Sequence, residues 1–188
     1  MRVSVIGAGD IEKIYRYSGI TEYELNELID NVGMILAKLG VELVILPDRG
    51  VPVHVAESYK RYGGKKIIGL IPKDDMRYGI KHLGDYKKLI DVEENIGDWY
   101  DLNGEIAASG DFCICIGYSC GVATEIGMLK YHYKYLNSKT KLIVFKNTIS
   151  MALHKEMEVD LPGLTSVSYT HLRAHETRHD LVCRLLLE

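Results

Sequence analysis

Phe112-Cys113-Ile114-Cys115-Ile116-Gly117-Tyr118-Ser119-Cys120-Gly121-Val122-Ala123-Thr124-Glu125 is the stretch that decides the fold. Its opening apolar run, closed by a glycine, suits a strand covered on both faces. The small residues after it lead straight into a segment of helical character reaching about Leu136. Strand, glycine turn and helix in that order form one unit of an α/β sheet.

The same unit recurs upstream. Arg2-Val3-Ser4-Val5-Ile6 is a β-branched run ending at Gly7. Thr21, with Glu24 three residues on, is a capping box that starts a helix. Leu25, Leu28, Ile29, Val32, Leu36 and Leu39 then recur at helical spacing until Gly40 stops them. A second strand is expected over 41–46, a helix from about Pro52 to Tyr62, and a third strand over 66–71. Residues 73–97 read as a charged covering loop with a short strand near Leu89. Asp98 caps a helix through about Ser109, and residues 141–145 are the last clear strand. Strands separated by helices predict an α/β fold with a doubly wound, mostly parallel, Rossmann-like sheet flanked by helices.

The 188 residues include 23 Lys and Arg against 26 Asp and Glu, for a net charge of -3, and 47% are hydrophobic. One domain of ordinary size fits that length. The near-balanced charge gives no broad basic surface and argues against a nucleic-acid partner. No apolar run approaches the ~18 residues of a membrane span, so no membrane partner is expected. Four cysteines without regular spacing suit a reduced, cytoplasmic chain.

Residues 167–188, VSYTHLRAHETRHDLVCRLLLE, differ in composition from what precedes them. They resemble the reading-frame translation of a transposon-type sequencing adapter; the other reading is an amphipathic helix carrying Leu181, Val182 and Leu185. The expectation is a single domain over 1–166 and a non-native, adapter-derived tail, with the natural chain continuing past Ser166. His171, His175, His179 and Cys183 are accordingly not read as a metal site.

Open parallel sheets bind ligands at the carboxyl ends of their strands, where helix N-termini present free N–H groups. Three segments fall at that edge. Gly7-Ala8-Gly9-Asp10 lacks the third glycine of a dinucleotide fingerprint and reads first as a strand-exit turn. In Pro47-Asp48-Arg49-Gly50, Arg49 is either a phosphate clamp or a solvated turn residue. In the stretch quoted first, the backbone from Ser119 to Val122 can cradle a phosphate. Glu125, one turn in, is either a ligand-facing carboxylate or a complement to the helix dipole.

The run Gly117 to Glu125 resembles a degraded PGGxGTxxE motif of the LOG family, formerly labelled lysine decarboxylase-like. Val3-Ser4-Val5-Ile6-Gly7, Leu39-Gly40 through Arg49-Gly50-Val51, and Gly63-Gly64 through Pro72 follow the family's other segments in order. The resemblance implies a nucleotide-binding Rossmann-type domain over 1–166. Some members hydrolyse the N-glycosidic bond of nucleoside 5′-monophosphates, and members usually dimerise, which implies a homodimer. Departures are plain: Gly117 replaces proline, Tyr118 and Ser119 replace paired glycines, and Val122 replaces threonine. The hydrolases' Arg-Lys pair falls on Leu102 and Asn103, so the expected catalytic arginine is missing.

The resemblance therefore implies a nucleotide-like or phosphoribosyl ligand, held by Gly7, Gly9, Arg49, Gly50, Gly117, Tyr118, Ser119, Cys120, Gly121 and Thr124. Glu125 and Asn103 would face the sugar. The rival expectations are an N-glycosidase using Glu125, with Arg49 substituting for the lost arginine, and a non-enzymatic sensor or scaffold. No cofactor is expected. No metal is expected either, since Cys113, Cys115 and Cys120 have no zinc spacing and His54, His82, His132 and His154 are scattered. Cys113 and Cys115 read as buried small hydrophobes, and Cys120 as a thiol open to activation at a helix N-terminus. Trp99, Tyr100, Tyr15 and Tyr17 are either walls for a base or core-packing residues. Lys130-Tyr131-His132-Tyr133-Lys134-Tyr135 interleaves basic and aromatic residues, a pattern that single-strand nucleic-acid stacking would use. Helical geometry is expected to splay the tyrosines around the axis, so the segment reads first as a partly buried helix end or a dimer contact.

Overall fold

The computed structural model describes residues 1–150 and 153–168. Seven strands form one sheet in the order β4-β3-β2-β1-β5-β6-β7, and every pairing is parallel. The strands are β1 (Arg2–Gly7), β2 (Glu42–Ile45), β3 (Lys66–Ile71), β4 (Val92–Asn95), β5 (Phe112–Ile116), β6 (Lys141–Phe145) and β7 (Leu164–Val167). The helices are α1 (Ile11–Tyr17), α2 (Glu22–Lys38), α3 (Val51–Arg61), α4 (Trp99–Glu105), α5 (Cys120–Tyr135) and α6 (Lys155–Asp160). This is the doubly wound α/β architecture that the alternating runs predict.

Alternate residues along the central strands feed two cores. Val3 and Val5, Leu43 and Ile45, and Ile114 and Ile116 join α2 and α3 on one face. Ile6, Val44, Cys113 and Cys115 join α4 and α5 on the other. A period of two with apolar residues at both phases is what a two-sided parallel strand requires. The Thr21–Glu24 capping box forms as expected, with each residue's side chain accepting from the other's backbone N–H.

The differences from expectation are local. Residues 87–89 form a single 3₁₀ turn, and the strand follows at Val92. The helix after Asp98 is α-helical only to Glu105 and tightens to 3₁₀ over Ile106–Ala108. Three short elements, α1, α6 and β7, carry too little apolar periodicity to be read: α1 buries only Ile14, α6 buries none of its residues, and β7 has four residues, of which only Val167 is buried. Val167 pairs with Phe145, so ordered strand includes the first residue of the stretch read as adapter-like. The remainder of that stretch from residue 169 lies outside the described residues.

β1 sits between β2 and β5. The chain winds outward from β1 in one direction through β2, β3 and β4, and in the other through β5, β6 and β7. That reversal is the topological switch point at which such sheets leave a crevice. The loops after β1 and β5 therefore flank it.

Candidate functional site

A cleft of about 310 Å³ opens there. It brings together Gly7, Gly9, Arg49, Asn103, Ser119, Gly121 and Glu125 from the sequence-derived set. Trp99 lines it too. Tyr15 packs against the core, whereas Tyr17 and Tyr100 are exposed.

The turn after β5 is fixed from below. Gly117 has a φ of 78°, and a Cβ there would run into the side chain of Ile14. Its N–H donates to Thr148 Oγ1 at 2.8 Å, and that hydroxyl donates to the Phe145 carbonyl at 2.7 Å. Nothing in the sequence marks Thr148, because its partner lies far away in the chain. Ser119 is the N-cap of α5, and its Oγ accepts from the Val122 N–H at 3.3 Å. The Val122 N–H is thus already engaged, and the N–H groups of Cys120 and Gly121 are those that helix geometry leaves without an intrahelical carbonyl.

Gly50 packs against Ala8 and Gly9, and Gly117 against Ile14 and Ala8. Tyr118 and Cys120 are exposed, and Thr124 Oγ1 bonds back to the Cys120 carbonyl at 3.0 Å. None of Gly50, Gly117, Tyr118, Cys120 and Thr124 lines the cleft itself. Asn103 reaches the cleft while its Nδ2 donates to the Trp99 carbonyl at 2.8 Å. Leu102 is fully buried, so the position of the hydrolases' arginine points into the core.

Glu125 is the feature with the largest chemical content. It is 9% exposed, it lines the cleft, and its Oε2 has no hydrogen-bond partner among the described residues. Burial pushes its carboxyl up to about 7. Burial likewise raises the Cys113 thiol to about 12 and the Cys115 thiol well above its usual value, with the charge of Glu125 adding to both. These two cysteines behave as small apolar residues, as expected from the sequence.

Around the mouth, charges are mixed. Lys13 Nζ lies 3.6 Å from Asp10, and Arg49 Nε lies 3.9 Å from Asp48. Lys13 reaches the cleft because of α1, a helix that the apolar pattern does not reveal. On the far side, the 73–97 segment is pinned over α4: Trp99 Nε1 donates to the Gly79 carbonyl at 3.1 Å. Its ring stacks on His82 at 5.6 Å. His82 Nε2 is also 3.8 Å from Asp48. An anion entering between Arg49 and the α5 N-terminus would therefore meet N–H groups and a guanidinium at one end and a buried carboxyl at the other. No three His, Cys, Asp or Glu side chains gather as metal ligands among the described residues. No described helix is long and apolar enough to cross a membrane.

A model of the SLOG cluster4 family matches residues 1–165. No curated protein matches the chain. Among solved structures, the molybdenum cofactor carrier protein of Chlamydomonas reinhardtii is similar over 100% of this chain and 98% of its own, with 17% identity and a TM-score of 0.64. The molybdenum cofactor binding protein of Rippkaea orientalis covers 85% of this chain and 93% of its own, at 18% identity and a TM-score of 0.54. DNA processing protein A of Helicobacter pylori, described by its single-stranded DNA binding mode, covers 100% of this chain and 80% of its own, at 14% identity and a TM-score of 0.59. At such identities the likeness establishes the shared fold. The LOG resemblance read from the glycine turns and Glu125 agrees with the family match.

One expectation is corrected. Near-balanced charge argued against a nucleic-acid partner, yet a protein of the same fold is described as binding single-stranded DNA. Net charge averages over the whole surface and does not report local patches.

Proposed function

The chain belongs to the SLOG cluster4 family, and from that premise we propose that it is a LOG-type protein whose cleft holds a small phosphorylated nucleoside or phosphoribosyl ligand. In this reading the phosphate lies at the α5 N-terminus against the Gly121 N–H, with Arg49 closing over it. Glu125 and Asn103 face the sugar, and Trp99 offers a ring face to a base. The observation that carries the reading is the unpartnered Oε2 of Glu125, buried inside the cleft. A buried acceptor without a partner costs free energy that a ligand hydroxyl or N–H recovers on binding. The relatives described as molybdenum cofactor carrier and binding proteins support holding over turnover.

A thermal-shift panel of nucleoside 5′-monophosphates and ribose 5-phosphate on the full chain tests this. At least one compound should raise Tm, and Arg49→Ala should remove the rise. If no compound shifts the wild type, the reading is wrong.

One observation favours a second reading. A carboxyl held near pH 7 is suited to acid–base work on a glycosidic bond. In an N-glycosidase, Glu125 would act with Arg49 in place of the arginine absent at Leu102. Release of free base from a compound that shifts Tm, lost in Glu125→Gln, would establish it. A Tm shift without release leaves the holding or sensing role.

A further inference from the structure

Between Glu125 and Glu156 the chain has six lysines and no Asp or Glu, although its net charge is -3. Part of that segment gathers where α5 ends and β6 begins. Asn137, at a φ of 53°, turns the chain out of α5, and the Ser138 N–H returns to the His132 carbonyl at 3.1 Å. Tyr133 then donates its hydroxyl to the Thr140 carbonyl at 2.6 Å. That bond ties the lead-in to β6 against the last turns of α5, so Lys139 and Lys141, which flank Thr140, stay beside the helix end.

Tyr131 and Tyr135 lie four residues apart on one face of α5, and both are exposed, at 51% and 66%. Their rings are near parallel, 11° apart with centroids 6.3 Å apart. The expectation that the tyrosines splay holds for Tyr133, which turns inward, and fails for this pair. Lys134 Nζ sits 5.0 Å from the Tyr135 ring, and Lys141 Nζ sits 5.4 Å from the Phe112 ring. Of the nearby acids, Asp160 pairs with Lys130 at 2.7 Å, Glu105 lies 3.7 Å from His132, and Asp111 accepts from the Arg2 backbone N–H at 2.8 Å. Among the described residues Lys134, Lys139 and Lys141 form no ion pair.

We propose that the α5 end and the entry to β6 bind single-stranded nucleic acid, with Tyr131 and Tyr135 stacking on bases and Lys134, Lys139 and Lys141 holding phosphates. Exposed parallel rings supply sequence-tolerant stacking, Lys134 beside Tyr135 supplies a backbone contact, and the unpaired Lys139 and Lys141 in the segment that follows the helix supply further ones. The patch lies at the opposite end of α5 from the cleft. A protein partner would have to bury three lysines that lack acids of their own, whereas a phosphate backbone neutralises them.

Fluorescence anisotropy with labelled dT20 at about 50 mM salt is the test. The full chain should bind, and bind a duplex of the same length more weakly. Tyr131→Ala with Tyr135→Ala should weaken dT20 binding by about tenfold or more. Lys134→Gln with Lys139→Gln should flatten the salt dependence by about 0.7 for each phosphate no longer neutralised. All of these positions are exposed, and unchanged Tm identifies folded variants. Absence of binding, or binding indifferent to both variants, overturns the proposal. So does loss of binding in Arg49→Ala, which would place the strand in the cleft. A change of oligomeric state in the tyrosine variant with dT20 binding intact would instead mark the patch as an interface between copies of the chain, and the proposal would be wrong.

Discussion

Gly50 packs its backbone directly against Ala8: the Val51 N–H donates to the Ala8 carbonyl at 3.2 Å, and a Cβ on Gly50 would strike that same carbonyl oxygen. The loop after β2 is thereby locked to the loop after β1. Because Gly50 has a φ of 72°, Gly50→Ala combines left-handed strain with a backbone collision. The substitution should cost about 2 kcal/mol or more and lower Tm visibly in a melt. A variant melting with the wild type would show that the two loops are not locked.

Arg49 rides on this junction, its Nε 3.4 Å from where a Cβ on Gly9 would lie. Its side chain is 71% exposed, so removing it should leave folding intact. Arg49→Ala is expected to leave Tm within a degree or so. Affinity for a phosphorylated ligand should fall about tenfold to a hundredfold, the range of a charge-assisted pair. Calorimetry with whichever monophosphate shifts the wild type reads this directly, and equal affinities would remove Arg49 from the site.

The difference between these residues and Thr148 or Lys13 explains what the sequence could show. Signals written within a few residues were legible: the capping box at Thr21 and Glu24, the glycine exits at Gly40 and Gly117, the buried run from Phe112 to Ile116. Those determined the fold and placed both loops at one sheet edge. Thr148 supports Gly117 from 31 residues away, and Lys13 enters the cleft on a seven-residue helix too short to show periodicity. Contacts set by sheet order have no local signature. Glu125 was legible as a position, but its missing hydrogen-bond partner depends on what the other elements bring near it.

Tyr59 tests how the sheet beneath the site is held. Its buried hydroxyl donates to the Val41 carbonyl at 2.6 Å. It also accepts from the N–H groups of Lys65 and Lys66 at 3.1 and 3.2 Å. It thus joins the starts of β2 and β3 through one atom. Tyr59→Phe keeps the ring but strands the buried Val41 carbonyl and two part-buried N–H groups, and should destabilise the fold by about 1–3 kcal/mol. A denaturant melt with an unchanged midpoint would mean that water reaches them.

Glu125 predicts an unusual pH dependence. Its folded pKa, about 7, is raised by burial above the ordinary value of 4.5, so the folded state holds its proton more tightly than the unfolded chain. The sign follows from linkage: between about pH 4.5 and 7 the native state binds more protons, and stability falls as pH rises. The stabilisation is complete below about pH 4.5 and gone above about pH 7, with a span of roughly 3 kcal/mol. Glu42, Asp91 and Glu93, whose basic partners lower their pKa values, act in the opposite sense and at lower pH. From about pH 5.5 to 8 the Glu125 effect should therefore stand clear of theirs. Wild-type Tm should fall across that range relative to Glu125→Gln, which has no proton to lose. Parallel Tm curves for the two proteins would mean that Glu125 is solvated or already paired, and the reading of its Oε2 as the ligand's partner would fall with it.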